Sequence, residues 1–179
     1  MNKIIRRISV FLLMMTVAAC AGGANKRLPI SHDLGPVTAQ TGNSVKVTLD
    51  APVWLWDERI RYRLLYRDAT AVRYYNLDRW EAPLPALLEQ YLTISGDQAV
   101  IVRIQLHRFE QQFVTQDNAR VVMDMTVEAR SKQNYGLLGE KSIVLSQATD
   151  RGDASGAIAG FSDLAKQARI EIQYWLENP

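Results

Sequence analysis

The sequence predicts an α+β fold: a single domain in which about six strands form a largely antiparallel or mixed sheet, with two main helices packed on it. Three observations predict it. Apolar residues alternate with polar ones at Ile60, Tyr62, Leu64 and Tyr66, again at Val100, Val102, Ile104 and Leu106, and again from Val121 through Met123, Met125 and Val127 to Ala129. That is the period of a strand with one buried face. Leu84, Leu87, Leu88, Tyr91 and Leu92 repeat at three and four, as do Ala157, Ile158, Phe161, Leu164, Ala165, Ala168, Ile172, Trp175 and Leu176, which is helical spacing. Polar stretches, TQDNAR and SKQNYG, separate the later alternating runs and predict an antiparallel meander.

Taken in order, the chain opens with Lys3, Arg6 and Arg7, continues with the apolar run ISVFLLMMTVAA and reaches Cys20. Charged, apolar, then small is the order of a secretory signal. Its apolar run of roughly a dozen residues is shorter than the ~20 needed to span a bilayer. Val17, Ala18, Ala19 and Cys20 resemble the lipobox of bacterial lipoproteins, in which the cysteine is lipidated and becomes the new N-terminus. The alternative is an ordinary signal cleaved after an Ala-rich site. On the lipobox reading, residues 1–19 are the signal peptide, Cys20 is the lipidation site and the chain is held to a membrane by several acyl chains, each buried methylene contributing about 0.8 kcal/mol. Many Gram-negative lipoproteins kept at the inner membrane carry Asp after the cysteine. Here that place holds Ala21, so the resemblance implies the outer membrane.

Removing the signal also removes Lys3, Arg6 and Arg7 from the 21 cations and leaves all 19 anions. The mature chain is then nearly neutral, and the charge excess belongs to targeting; nucleic-acid binding is not expected. The 160 residues from Cys20 onward suit one domain with a real core. With its single cysteine at the anchor, the domain is expected to fold without a disulfide.

Residues 20–44 carry Gly, Pro, Asn, Ser and Thr without apolar periodicity and predict a flexible tether that reaches roughly 25 to 30 Å on average. His32 is read there as a solvated loop residue. Residues 45–179 form the domain. Val45, Val47 and Leu49 predict a short strand before Pro52, after which Trp54 and Trp56 would project from one face of extended backbone. Paired aromatics of this kind serve as core or as an interface anchor. Arg59, Arg61, Arg63 and Arg67 alternate with the apolar row; the row Arg59, Arg61, Arg63 reads first as a solvated strand face neutralised by Asp57, Glu58 and Asp68, with a phosphate or lipid-headgroup patch as the alternative.

A second strand, Ala71 to Tyr75, follows at hairpin distance, and Asp78 reads as the N-cap of a helix entered through Trp80, with Pro83 and Pro85 in its first turn. An Arg beside a Trp at a helix start suits a partner contact, so Arg79 and Trp80 join Trp54 and Trp56 as candidate partner-binding residues; a structural role for the pair is the alternative. The strand from Val100 places His107 with Arg103, Gln105 and Phe109 on the face opposite its apolar row. The Met123 and Met125 pair reads as core. Asp153 or Ser155 caps the last helix, whose polar face of mixed sign suits core packing better than a membrane surface.

The lipobox, the segments APVWLWDERIRYRL and RYYNLDRWEAPLPALLEQYL, and the closing IQYWL resemble the ABC-type transport auxiliary lipoprotein family, the PqiC-like group. The resemblance implies an auxiliary component of an ABC transport system that moves lipids or other hydrophobic molecules between membranes, with an MCE-domain protein as partner. Some relatives form rings, so a homo-oligomer is a further expectation. No GxxxxGK[ST] motif for ATP occurs in the chain, and no catalytic residue, metal or cofactor is expected. A lipoprotein that regulates envelope assembly by binding a cell-wall or lipopolysaccharide enzyme is the competing reading. A hydrolase is disfavoured by two histidines and no cysteine beyond Cys20.

Overall fold

The computed structural model describes residues 28–37, 43–97 and 99–178. The signal segment and Cys20 lie outside the described residues, as do positions 21–27 and 38–42 of the expected tether. Among the described residues, eight strands and two α-helices make an α+β domain: β1 (Ile30–His32), β2 (Ser44–Asp50), β3 (Arg59–Leu64), β4 (Asp68–Trp80), α1 (Leu84–Tyr91), β5 (Ile94–Ser95), β6 (Val100–Phe113), β7 (Ala119–Ser131), β8 (Leu137–Ala148) and α2 (Ala154–Glu177).

The sheet is built around β6. Its first half pairs in parallel with β2, from Lys46↔Ile101 to Asp50↔Gln105, and its last residues pair in parallel with β3, from Tyr62↔Gln111 to Leu64↔Phe113. Its other edge carries β7, antiparallel over nearly the whole length, and β8 pairs antiparallel with β7. The expected hairpin and meander are therefore present. β6, the first strand of the meander, joins it to the β3–β4 hairpin by pairing with β3.

Alternation along β6 breaks at His107, where the register with β7 shifts between Leu106 and Arg108. One extra residue in a strand turns every later side chain to the opposite face. Hence Val102, Ile104 and Leu106 face the core before the bulge, and Phe109, Gln111 and Phe113 are buried after it. Phe109, expected beside His107 on the outer face, is instead a core residue: its ring stacks on Phe161 of α2 with centroids 4.1 Å apart.

β4 runs five residues beyond the expected Tyr75 and ends at Trp80. Asp78 is a strand residue, not a helix cap. Helix α1 begins at Leu84, with Pro83 at the N-cap position and Pro85 inside the first turn, where neither proline removes a needed N–H. What holds the extra strand length is β1, paired parallel to it from Ile30↔Asp78 to His32↔Trp80.

β1 also corrects the tether. Residues 30–34 belong to the domain: Leu34 is buried in the core, its carbonyl accepts a hydrogen bond from Ser162 Oγ of α2 at 2.8 Å, and His32 Nε2 lies 2.9 Å from Asp78 Oδ1. His32 is thus half-buried and partnered where a solvated loop residue was expected. β1 and the two-residue β5 account for the difference between six strands and eight.

Both helices cover one face. Phe161, Leu164, Ala165, Ala168 and Ile172 of α2 join Val121, Met123, Met125 and Val127 of β7 in a single core, and α1 adds Leu84, Leu88 and Tyr91. Helix α2 starts at Asp153, whose side chain accepts from the Gly156 N–H at 2.9 Å, one of the free donors of the first turn. Its axis lies close to the sheet at Gly160, where a Cβ would stand 2.7 Å from Val121 Cγ2.

Candidate functional site

The face of the sheet that the helices leave bare carries the candidate site. Because the bulge at His107 turned Glu110 and Gln112 away from the core, they share that face with residues of β3, β4 and β7. Tyr62↔Gln111 and Arg63↔Gln112 are in register, as are Arg61↔Tyr74, Glu110↔Val122 and Gln112↔Arg120. Paired residues project to the same side of a sheet, so Tyr74, Arg61, Arg63, Glu110, Gln112 and Arg120 form one polar surface.

Glu110 is its centre, with a side chain only 5 % exposed. Arg63 Nε donates to both carboxylate oxygens at 3.0 and 2.9 Å, and Gln112 Nε2 donates to Oε1 at 3.0 Å. Gln112 Oε1 in turn accepts from Arg120 Nε and Nη2 at 3.2 and 3.1 Å. Arg63 Nη1 donates to the carbonyls of Ala69 and Thr70 in the β3–β4 hairpin. A carboxylate taken out of water stays ionised only if such donors replace its hydration.

Arg61 is served less well. Its side chain is 10 % exposed, its Nη2 lies 3.9 Å from Glu110 Oε2, and Nη1 reaches the Trp54 carbonyl at 3.4 Å. Its Nε is buried without a hydrogen-bond partner. The row expected to be a solvated arginine face is corrected here: Arg61 and Arg63 are enclosed, and their counter-charge comes from β6, not from the neighbouring acids. The local reading holds for Arg59, which pairs with Asp57. That hydrogen bond holds the Asp57 carboxyl below the usual carboxylate range, and the Arg59 guanidinium lies 3.9 Å over the Tyr74 ring.

An open groove of about 460 Å³ lies over this surface, lined by Trp54, Leu55, Arg61, Arg63, Val72, Tyr74, His107, Arg108, Phe109 and Glu110. Its floor is charged and its sides are apolar. Arg108 is drawn toward Asp124, Nη2 to Oδ2 being 3.7 Å, and His107 Nε2 lies 2.9 Å from Thr126 Oγ1. Among the described residues no group of three or more His, Cys, Asp or Glu is placed to hold a metal ion, and no helix is long and apolar enough to cross a membrane.

The residues singled out in the sequence do not meet at one place. Trp54 lines the groove and Trp56 does not; Val53–Leu55 form a 3₁₀ turn after Pro52 instead of extended backbone. The two indoles are 55 % and 46 % exposed, which favours a contact surface over core; Trp56 Nε1 is tied to the Ala51 carbonyl at 3.1 Å. Arg79 is on β4, exposed, with Nε donating to Ser31 Oγ of β1 at 3.2 Å. Trp80 is 2 % exposed and packs edge-on against Phe109 and Phe161, centroids 6.1 and 5.8 Å away. A side chain so enclosed offers nothing to a partner, and its role is packing. Sequence reasoning missed Glu110 and Gln112; the one signal that could have marked them is the change of parity near His107, where the apolar positions pass from Leu106 to Phe109 and Phe113.

No family model matches the chain, and no curated protein matches it. Solved structures do share its fold. A Xanthomonas campestris protein of the family DUF330 superposes with a TM-score of 0.65 at 16 % identity, over 83 % of this chain and 92 % of its own. An uncharacterised protein gives a TM-score of 0.66 at 12 % identity over 83 % and 99 %. A Caulobacter crescentus chain, provisionally described as a lipoprotein, reaches only 0.33 at 12 % identity over 47 % and 71 %, and that likeness carries no argument.

Proposed function

We propose that this chain is a lipid-anchored envelope lipoprotein, held through Cys20 at the outer membrane with its domain facing the periplasm. It serves there as the auxiliary component of an ABC/MCE-type system for lipids or other hydrophobic molecules. The observation that carries this reading is the order of the first twenty residues, cations, then an apolar run, then Val17-Ala18-Ala19-Cys20. One compact domain following that signal, with the exposed indoles of Trp54 and Trp56 on its surface, suits a binding component. Aromatic side chains standing in solvent are the type that anchors protein contacts, and these two are the residues to substitute when a partner is mapped.

The reading is tested by cross-linking in intact cells, with partners identified by mass spectrometry and Cys20→Ala as the mislocalised control. Capture of an MCE-domain protein, lost in the control, is the expected result. Capture of cell-wall or lipopolysaccharide enzymes alone would overturn the transport role in favour of envelope regulation. Incorporation of labelled fatty acid into the parent chain and not into Cys20→Ala tests the anchor separately.

A further inference from the structure

We infer that the groove over β3 and β6 binds a phosphate ester, with Arg61 as the receiving guanidinium and the indole of Trp54 and ring of Tyr74 flanking the group to which the phosphate is attached. Neither the anchor at Cys20 nor a transport partner enters the argument, which rests on the groove alone.

Charge is the first step. Arg61, Arg63 and Arg108 line the groove against one carboxylate, Glu110. Asp124 approaches Arg108 from β7, and Glu110 is engaged by both Nε contacts of Arg63. Three guanidiniums thus face two carboxylates, and Arg61, which shares Glu110 with Arg63 and reaches it only at 3.9 Å, is the least closely matched.

Hydrogen bonding is the second. Arg61 is nine-tenths buried, yet its Nε has no partner and its other nitrogens make only long contacts, at 3.4 and 3.9 Å. A buried guanidinium so thinly partnered is costly, and elsewhere in the same cluster the fold has supplied close partners: Arg63 has the carboxylate and two carbonyls, and Arg120 has Gln112. Arg61 is the member left open, and like Arg63 it lines the cavity. A planar fork of N–H donors matches the paired oxygens of a phosphate ester, and one such group supplies the missing unit of negative charge.

The walls are the third. Leu55, Val72, Tyr74 and Trp54 present apolar surface beside the charged floor, and the exposed Trp54 ring gains from being covered. Bare inorganic phosphate would use the floor and leave the walls wet. A phosphodiester carried on an apolar body uses both, so the ligand class that fits is a small anionic amphiphile with one phosphodiester headgroup.

The test is calorimetric titration of the chain as purified from cells, in phosphatidylcholine nanodiscs if it carries lipid and in buffer if it does not, with heats into empty nanodiscs or buffer subtracted. Three probes are used: dihexanoyl phosphatidylglycerol, dihexanoylglycerol without the phosphate, and inorganic phosphate. Saturable binding of the first, with weaker or no binding of the other two, is expected. Arg61→Gln should weaken it about tenfold or more, the range of a lost charge-assisted hydrogen bond. Trp54→Ala should weaken the lipid probe and leave inorganic phosphate unchanged. Trp54 is largely exposed, so this second variant keeps the test decisive should Arg61→Gln unfold. Equal binding of dihexanoylglycerol and dihexanoyl phosphatidylglycerol, or full affinity in folded Arg61→Gln, overturns the site. Inorganic phosphate binding as tightly as the lipid overturns the amphiphile and leaves a free-phosphate site in its place.

Discussion

Replacing Glu110 by Ala removes the carboxylate that faces both Arg61 and Arg63, whose side chains are 10 % and 23 % exposed. Breaking a buried ion pair from one side leaves the partner charge uncompensated, which costs about 3 to 5 kcal/mol. Three hydrogen bonds to the carboxylate go with it, two from Arg63 and one from Gln112. Partial exposure of Arg63 puts the expected loss at the lower end, about 3 kcal/mol. For a domain of this size each kcal/mol moves the melting temperature by roughly 2 to 4 °C, so a decrease of about 6 to 12 °C is expected. Urea unfolding of the parent, Glu110→Ala and Glu110→Gln measures it, with the Gln variant separating charge from shape. The loss should persist in 1 M salt, because enclosed charges are screened far less than surface ones. A loss below about 1 kcal/mol that vanishes in salt is the behaviour of a solvated pair and would refute the enclosed-cluster account.

Other perturbations follow from the same structure. Gly160→Ala should destabilise by about 1 to 3 kcal/mol through overpacking against Val121, although Ala is ordinarily the better helix former by about 1 kcal/mol; recovery in Gly160→Ala/Val121→Ala is the check. Leu34→Ala should cost about 2 to 5 kcal/mol as a buried truncation and raise amide exchange at residues 30–34 and 78–80 together. Asp153→Ala should cost about 1 kcal/mol at neutral pH. The Gly156 N–H and Arg151 hold the Asp153 carboxyl below its ordinary value. Its contribution is therefore complete above the unfolded carboxylate pKa and is lost as pH falls through the lower folded one. Melting curves of parent and variant should converge in acid.

Where one strand face meets the helices and the other meets water, the sequence is easy to read. Val121 to Ala129 and the α2 stripe were legible because each buried position recurs at a fixed period and no distant residue alters it. Trouble begins where a distant residue decides. Asp78 followed by prolines is a fair local start for a helix, yet β1, 46 residues earlier across the His32–Asp78 contact, holds that segment extended. Arg63 and Glu110 stand 47 positions apart, and no local pattern announces their meeting. The bulge at His107 is the subtlest case: polar and apolar residues mix on both sides of it, so alternation alone does not show which face Phe109 or Glu110 takes. Trp54 and Trp56 were legible as a pair, while the 3₁₀ turn that leaves both indoles in solvent was not.

The docking of β1 has a kinetic corollary. Leu34 sits against Ser162, 128 residues away, so although β1 can pair with β4 earlier, the earliest described part of the chain is fully seated only once α2 has been made and has packed. Closing so long a loop is entropically slow, and non-local contacts of this kind retard folding. During synthesis or export, Leu34 therefore lacks its contact with α2 until the last helix is made. The first segment of the domain to emerge is the last to lock.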